Sequence, residues 1–254
     1  MVGCSGKAGS ELLTRGREGR GAARGEGLAD SLDPGTTAMT EAEFAEHLAR
    51  GHEQRAVEFK GVGARGERPF FSRVVRAVLA MSNTQDGGLV VIGVSETEGV
   101  LDPIGLDGAT LRTWRHDDIA AGAAEYADPF VSFETTVVPF QGKQFIALRV
   151  REFESVPVLC KKQYDIKEKQ RGKPKVTTIL RRGACYVRTR TKPESREIDS
   201  HVEMRELIRL AAEKNLRELL GSIERAGGTV VAKAETAAAP SERDAFQGEA
   251  SDFT

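Results

Sequence analysis

The chain is poor in cysteine, with only Cys4, Cys160 and Cys185 among 254 residues. An odd, scattered set builds no disulfide framework. No two cysteines stand at C-x-x-C spacing, and His47, His52, His116 and His201 lie far from them in sequence, which argues against a four-ligand zinc site. Each cysteine reads as a small buried hydrophobe rather than a reactive thiol. Long apolar runs are also missing. A run such as Leu89–Ile92 falls far short of the roughly 20 residues needed to cross a bilayer. The N-terminus lacks the apolar core of a secretory signal. No internal repeat is present. These absences set aside a disulfide scaffold and a membrane span, and the protein is expected in the cytoplasm.

Net charge is −1, but it is unevenly spread. Between Cys160 and Glu197 thirteen basic residues face four acidic ones, a surplus of nine. A basic stretch on a near-neutral chain points to a polyanionic partner.

Residues 1–38 hold nine of the 27 glycines, with mixed charges and no apolar periodicity. They are expected to be a disordered extension, as are residues 227–254. Between them, residues 39–226 are expected to form one α+β domain, a mixed β-sheet flanked by helices. Thr40 is a helix N-cap with Glu43 at capping-box spacing, opening a helix over 40–50. Residues 56–61 alternate as a half-buried strand. Phe70, Phe71, Val74, Val75, Val78 and Leu79 form the apolar stripe of a helix over 68–82. A glycine turn follows, then a buried strand from Leu89 to Val94. A helix is expected over 108–126. Hairpins are expected over 131–151, around Gln141-Gly142, and over 176–190, around Gly183. The segment from Lys161 to Lys175 reads as a mobile basic loop. A helix over 201–223 closes the domain.

Three groups of residues bear on chemistry. In a strand, Glu58 and Lys60 share one face and Val57 and Phe59 the other; Glu53 lies just before and can fold back. Glu-x-Lys on a strand suits either an ordinary solvated face or a divalent-cation site, in which carboxylates hold the metal and the lysine meets developing charge. Glu96, just past the buried strand, is either a turn residue or a third metal ligand. Gly87-Gly88 suits a sharp helix-to-strand turn; it would also admit a phosphate, but lacks the Lys-Ser/Thr of a P-loop. On the strand Ala184 to Arg190, Tyr186, Arg188 and Arg190 share a face. With Lys161, Lys162, Arg181 and Arg182 they make either an ordinary exposed surface or a stacking and phosphate-contacting one.

In order along the chain, three motifs resemble the Schlafen AlbA-type (AlbA_2) domain family. They are Glu53 followed by Glu58-Phe59-Lys60; Ala80-Met81-Ser82-Asn83-Thr84 with Gly87-Gly88 and Ile92-Gly93-Val94; and Ala184-Cys185-Tyr186-Val187-Arg188 with Glu203 and Leu207. The resemblance covers roughly 39–220 and makes Met39 the expected start of the domain. It implies a nucleic-acid-binding domain, acting on RNA or DNA. It also implies a three-acid endoribonuclease site using Mg2+ or Mn2+ on structured RNA such as tRNA, with Glu53, Glu58 and Glu96 as metal ligands and Lys60 beside them. Glu96 departs from the usual aspartate, Asp86 is an extra turn residue, and the zinc site of some animal members has no counterpart. Those members clamp RNA between two lobes, which here implies a homodimer through helix 201–223. Two further readings stand beside the nuclease: a non-catalytic DNA/RNA-binding regulatory module, and a divergent ATP-binding protein.

Overall fold

The computed structural model describes residues 38–170, 173–190 and 193–228. The expected disorder of the two ends therefore falls outside the described residues, apart from Ala38, Gly227 and Gly228. The order of elements is α1 (Glu41–Ala49), β1 (Val57–Lys60), α2 (Arg68–Ser82), β2 (Gly88–Ile92), β3 (Val94–Thr97), β4 (Val100–Pro103), α3 (Gly108–Leu111), α4 (His116–Ala124), β5 (Ala127–Asp128), β6 (Phe133–Phe140), β7 (Lys143–Val150), β8 (Leu159–Cys160), β9 (Tyr164–Gln170), β10 (Lys173–Leu180), β11 (Tyr186–Arg188), β12 (Ser195–Glu197) and α5 (His201–Arg225). This is the α+β architecture expected from the sequence. Among the described residues, no helix is long and apolar enough to cross a membrane.

The central sheet has the order β1-β2-β7-β6. β1 runs parallel to β2, whereas β7 is antiparallel to both β2 and β6. The apolar run in β2 is explained by burial on both sides. Leu89 and Val91 join Phe44 of α1, Val57, Phe59 and Phe145 in one core, while Val90 and Ile92 join α2 in the other. Two cores of opposite facing require an apolar residue at every position from Leu89 to Ile92, and the chain supplies them. α1 begins at Thr40, whose side chain accepts a hydrogen bond from the Glu43 backbone N–H at 3.2 Å. The Glu43 carboxylate completes no capping box and instead accepts from Arg149 at 2.7 Å.

Several expectations need correction. The strand thought to run to Val94 stops at Ile92, because Gly93 adopts φ +109° and redirects the chain into the separate β3–β4 hairpin. The helix expected over 108–126 is two helices, broken where Trp114 turns inward and its Nε1 donates to the Gly63 carbonyl at 3.0 Å. Within the basic segment expected as a loop, residues 164–170 and 173–175 are strand. β9 and β10 pair antiparallel through it. The expected hairpin around Gly183 is not formed either, since β10 takes β9 as its partner and β11 takes β12. Local turn chemistry suggested the wrong neighbour because β9 alternates lysine and acid with few apolar positions and so carries little strand signal. On α5 only Glu203, Leu207 and Leu210 are buried, and Met204, Ile208, Leu216 and Leu219 are exposed.

Candidate functional site

The chemistry-bearing residues of β1 sit at the edge of the central sheet. Parallel register with β2 places Glu58 beside Val90 and Lys60 beside Ile92, on the α2 face. The β11–β12 ladder covers that edge, and its register sets Arg188 opposite Ser195. Arg188 is fully buried. Its guanidinium donates from Nη1 to Glu58 Oε2 at 2.8 Å and from Nη2 to Glu53 Oε2 at 3.4 Å. It also donates to the backbone carbonyls of Arg55, Gln54 and Val57 at 3.1, 2.9 and 3.1 Å. The Arg55 side chain returns a bond to the Arg188 carbonyl at 3.2 Å. Lys60 Nζ donates to Glu58 Oε1, and Ser195 Oγ donates to Glu58 Oε2. Glu53 folds back over the strand and accepts from the Phe59 backbone N–H at 2.8 Å.

The two carboxyls are driven in opposite directions. Burial raises Glu53 above the usual carboxylate range, and the neighbouring Glu58 charge adds to the rise. Burial pushes Glu58 up as well, but Lys60 and Arg188, with hydrogen bonds from Lys60 and Ser195, outweigh it and hold this carboxyl below its ordinary value. Glu58 is therefore an ionised, compensated group. The surrounding shell continues outward: Glu206 of α5 pairs with Arg55 at 2.8 Å and with Arg190 at 3.0 Å.

A family profile for the Schlafen, AlbA_2 domain matches residues 53–195, more than half of the chain. The chain belongs to the Schlafen AlbA_2 family. Its profile match begins at Glu53 and ends at Ser195, so it embraces the whole carboxylate–arginine cluster. Among solved structures, the chain is similar to the DIP2311 protein from Corynebacterium diphtheriae, with 16% identity, TM-score 0.39, and coverage of 62% of this chain and 26% of that one. It is also similar to the N-terminal domain of a putative ATP-dependent DNA helicase RecG-related protein from Nitrosomonas europaea, with 23% identity, TM-score 0.35, and coverage of 45% and 74%. The chain thus spans about a quarter of the first of these proteins. No curated protein matches it.

Not all of the residues singled out in this AlbA_2 domain come together. Glu53, Glu58 and Lys60 share one cluster. Glu96 does not join it, because Gly93 diverts the chain and leaves Glu96 exposed on β3. Among the described residues, no three His, Cys, Asp or Glu side chains are grouped so as to hold a metal ion. The donor set does not suit a divalent cation in other respects. Both oxygens of Glu58 are engaged, and Arg188 and Lys60 already balance the two carboxylate charges. The cation expected between the acids is, in effect, a guanidinium.

Arg188 and Tyr186 also leave the proposed nucleic-acid face. Tyr186 is buried, and its hydroxyl accepts from the Arg181 backbone N–H at 2.8 Å. The strand face they share is turned inward, Tyr186 into the core formed with α2 and Arg188 onto β1. Lys161, Lys162, Arg181, Arg182 and Arg190 are exposed. The glycine pair makes a tight turn and not a phosphate cradle. A Cβ at Gly87 would stand 2.1 Å from the Val150 carbonyl oxygen, and one at Gly88 would stand 2.8 Å from that of Ala56. Sequence reasoning missed Ser195 and Glu206. Ser195 acquires its role from Glu58, more than 130 residues away, and Glu206 joins Arg190 to the equally distant Arg55.

Proposed function

We propose that this AlbA_2 domain binds polynucleotides through the cations of β8 to β11, as a non-catalytic module. The observation that carries the reading is the exposure of Lys161, Lys162, Lys167, Lys175, Arg181, Arg182 and Arg190 within one stretch of a chain whose net charge is −1. Such a surface releases counterions from a phosphate backbone, so affinity falls steeply with salt. Anisotropy titrations with RNA and DNA, single- and double-stranded, at a series of salt concentrations provide the test. Binding at low salt is expected, with a slope of log affinity on log salt that flattens by about one unit for each phosphate-contacting cation removed. The Arg181→Glu, Arg182→Glu variant should show this flattening. No binding at low salt would overturn the reading.

A metal-dependent endoribonuclease is the second reading. It is favoured by the closeness of Glu53 and Glu58 and the opposite shifts of their acidities. Incubating the chain with tRNA, with and without Mn2+, separates the two. The binding module predicts intact tRNA in both. Mn2+-dependent cleavage that is lost in a folded Glu58→Ala variant would establish the enzyme instead.

A further inference from the structure

A cavity of about 180 Å³ is lined by none of the residues of the carboxylate cluster. Its walls come from the approach to α2 (Arg65, Arg68), the end of α4 (Glu125, Tyr126) and the turn into β9 (Lys162, Tyr164). The volume is below the ~300 Å³ at which whole small-molecule ligands are usually enclosed. It suits a compact group with the remainder of its ligand lying outside.

The cavity is cationic. Arg65, Arg68 and Lys162 are set against one acid, Glu125. Lys162 Nζ donates to Glu125 Oε2 at 2.8 Å. Glu125 also acts as an internal probe of the local field: its acidity is strengthened first by the Lys162 hydrogen bond, then by the charges of Lys162, Arg68 and Arg65. All three cations therefore act on one place. Among the lining residues one carboxylate serves all three cations, and it is more than half exposed.

Arg65 is held in position before any ligand arrives. Its Nε and Nη2 donate to the Asp118 carbonyl at 3.2 and 2.7 Å, and its guanidinium lies 4.3 Å from the centre of the Phe71 ring. Gly122 makes room for this stack. A Cβ there would stand 2.4 Å from Arg65 Nη2 and 2.6 Å from the Phe71 ring. A glycine within a helix costs roughly 0.5–1 kcal/mol relative to alanine, so the seat for Arg65 is obtained at the expense of α4. Tyr126 and Tyr164 supply ring surface at the same opening, and Lys162 lies 5.5 Å from the Tyr126 ring centre.

We infer that this cavity is a phosphate subsite, taking one phosphoryl group of a nucleotide whose sugar or base rests on Tyr126 and Tyr164. The inference deepens the polynucleotide reading and rests on it for the identity of the natural ligand. Phosphate fits because it presents several anionic oxygens to three separate donors, where a carboxylate such as Glu125 can satisfy only one or two. Glu125 is a competitor that the incoming phosphate displaces from Lys162.

The test uses the full chain, an oligonucleotide carrying or lacking a 5′ phosphate, AMP, and inorganic phosphate. The Arg68→Ala, Lys162→Ala variant should bind oligonucleotide about tenfold or more weakly. Its salt slope should flatten by about two units. Glu125→Gln should bind more tightly than the unmodified chain, an effect of opposite sign that a merely structural role would not give. Inorganic phosphate and AMP should compete with oligonucleotide on the unmodified chain but not on the double variant. Preference for the 5′-phosphorylated strand would assign a terminal phosphate, and equal binding of both strands a backbone one. If the chain binds polynucleotide but the double variant keeps its affinity and slope, the subsite is refuted and the polynucleotide reading survives. If the chain binds no polynucleotide, that reading fails. Calorimetry with AMP and inorganic phosphate then decides the cavity alone: saturable heat that disappears in the double variant supports it, and its absence refutes it.

Discussion

Arg188 shows how one side chain can change the meaning of a motif. Glu53, Glu58 and Lys60 have the spacing of a cation site, but the cation supplied is a guanidinium from the same chain. A buried charge pair is sensitive to the loss of one partner, because the other is left uncompensated. Arg188→Met should lower stability by about 3–5 kcal/mol, measured by urea denaturation. Unchanged stability would show that the carboxylates need no counter-charge. The two acids should also respond differently to pH. Glu53 is raised in the folded state, so it disfavours folding at neutral pH, and stability increases as pH falls through its folded value towards its unfolded one. Glu58 is depressed, so its contribution is complete above its unfolded value and is lost as pH falls through the lower, folded one. Stability should therefore peak in mild acid. Glu53→Gln should weaken the rise towards that peak, and Glu58→Gln should reduce the loss beyond it, both readable from thermal midpoints across a pH series.

Among the elements, α1, α2 and α5 were the most legible. The stripe from Phe70 to Leu79 marks α2 because a helix that packs a sheet must repeat its apolar positions at helical spacing. Thr40 likewise marks the start of α1. The join between α2 and β2 was legible as a turn, but not as a junction. Asn83 ends α2 and spans to two other segments. Its Nδ2 donates to the carbonyls of Val158 and Tyr186, both at 2.9 Å, and its Oδ1 accepts from the Val158 N–H at 2.8 Å. Asn83→Ala would leave those buried backbone groups without partners, at about 1–3 kcal/mol for a group so stranded. The expected result is a fall in thermal midpoint of several degrees. A midpoint within a degree of the unmodified chain would show that water replaces the amide. The pairings of β9 with β10 and β11 with β12 were not legible, since partner choice is made by contacts between strands and not by the residues of either alone.

For the whole molecule, the family profile and the folding unit differ in extent. The profile matches residues 53–195, which excludes α1 and α5. Yet Phe44 of α1 is fully buried, packed 4.6 Å from the Phe145 ring and 5.1 Å from that of Phe140. Leu207 and Leu210 of α5 complete the opposite core. A fragment limited to 53–195 should therefore uncover the Phe145 face of its sheet, leave the α2 core without Leu207 and Leu210, and fail to give a cooperative unfolding transition, whereas one covering 38–228 should. Phe44→Ala in the longer fragment should cost about 3–5 kcal/mol. A cooperative transition in the short fragment would show that the terminal helices are dispensable.

The sequence by itself determined the class of fold, the central elements, the basic character of residues 160–197 and the proximity of Glu53, Glu58 and Lys60. All of these depend on interactions within a few residues, or on composition, and so are written locally. Tertiary structure decided which acids meet and what they hold. Glu96 was only three residues beyond a glycine, but the φ of Gly93 sends it away; Arg188 and Ser195 were far along the chain, but strand register delivers them to Glu58. A charged residue on a strand reads the same whether it faces solvent or closes over a buried carboxylate. Its side is fixed only when another element packs upon it, and for Arg188 that element is β1 with the residues just before it.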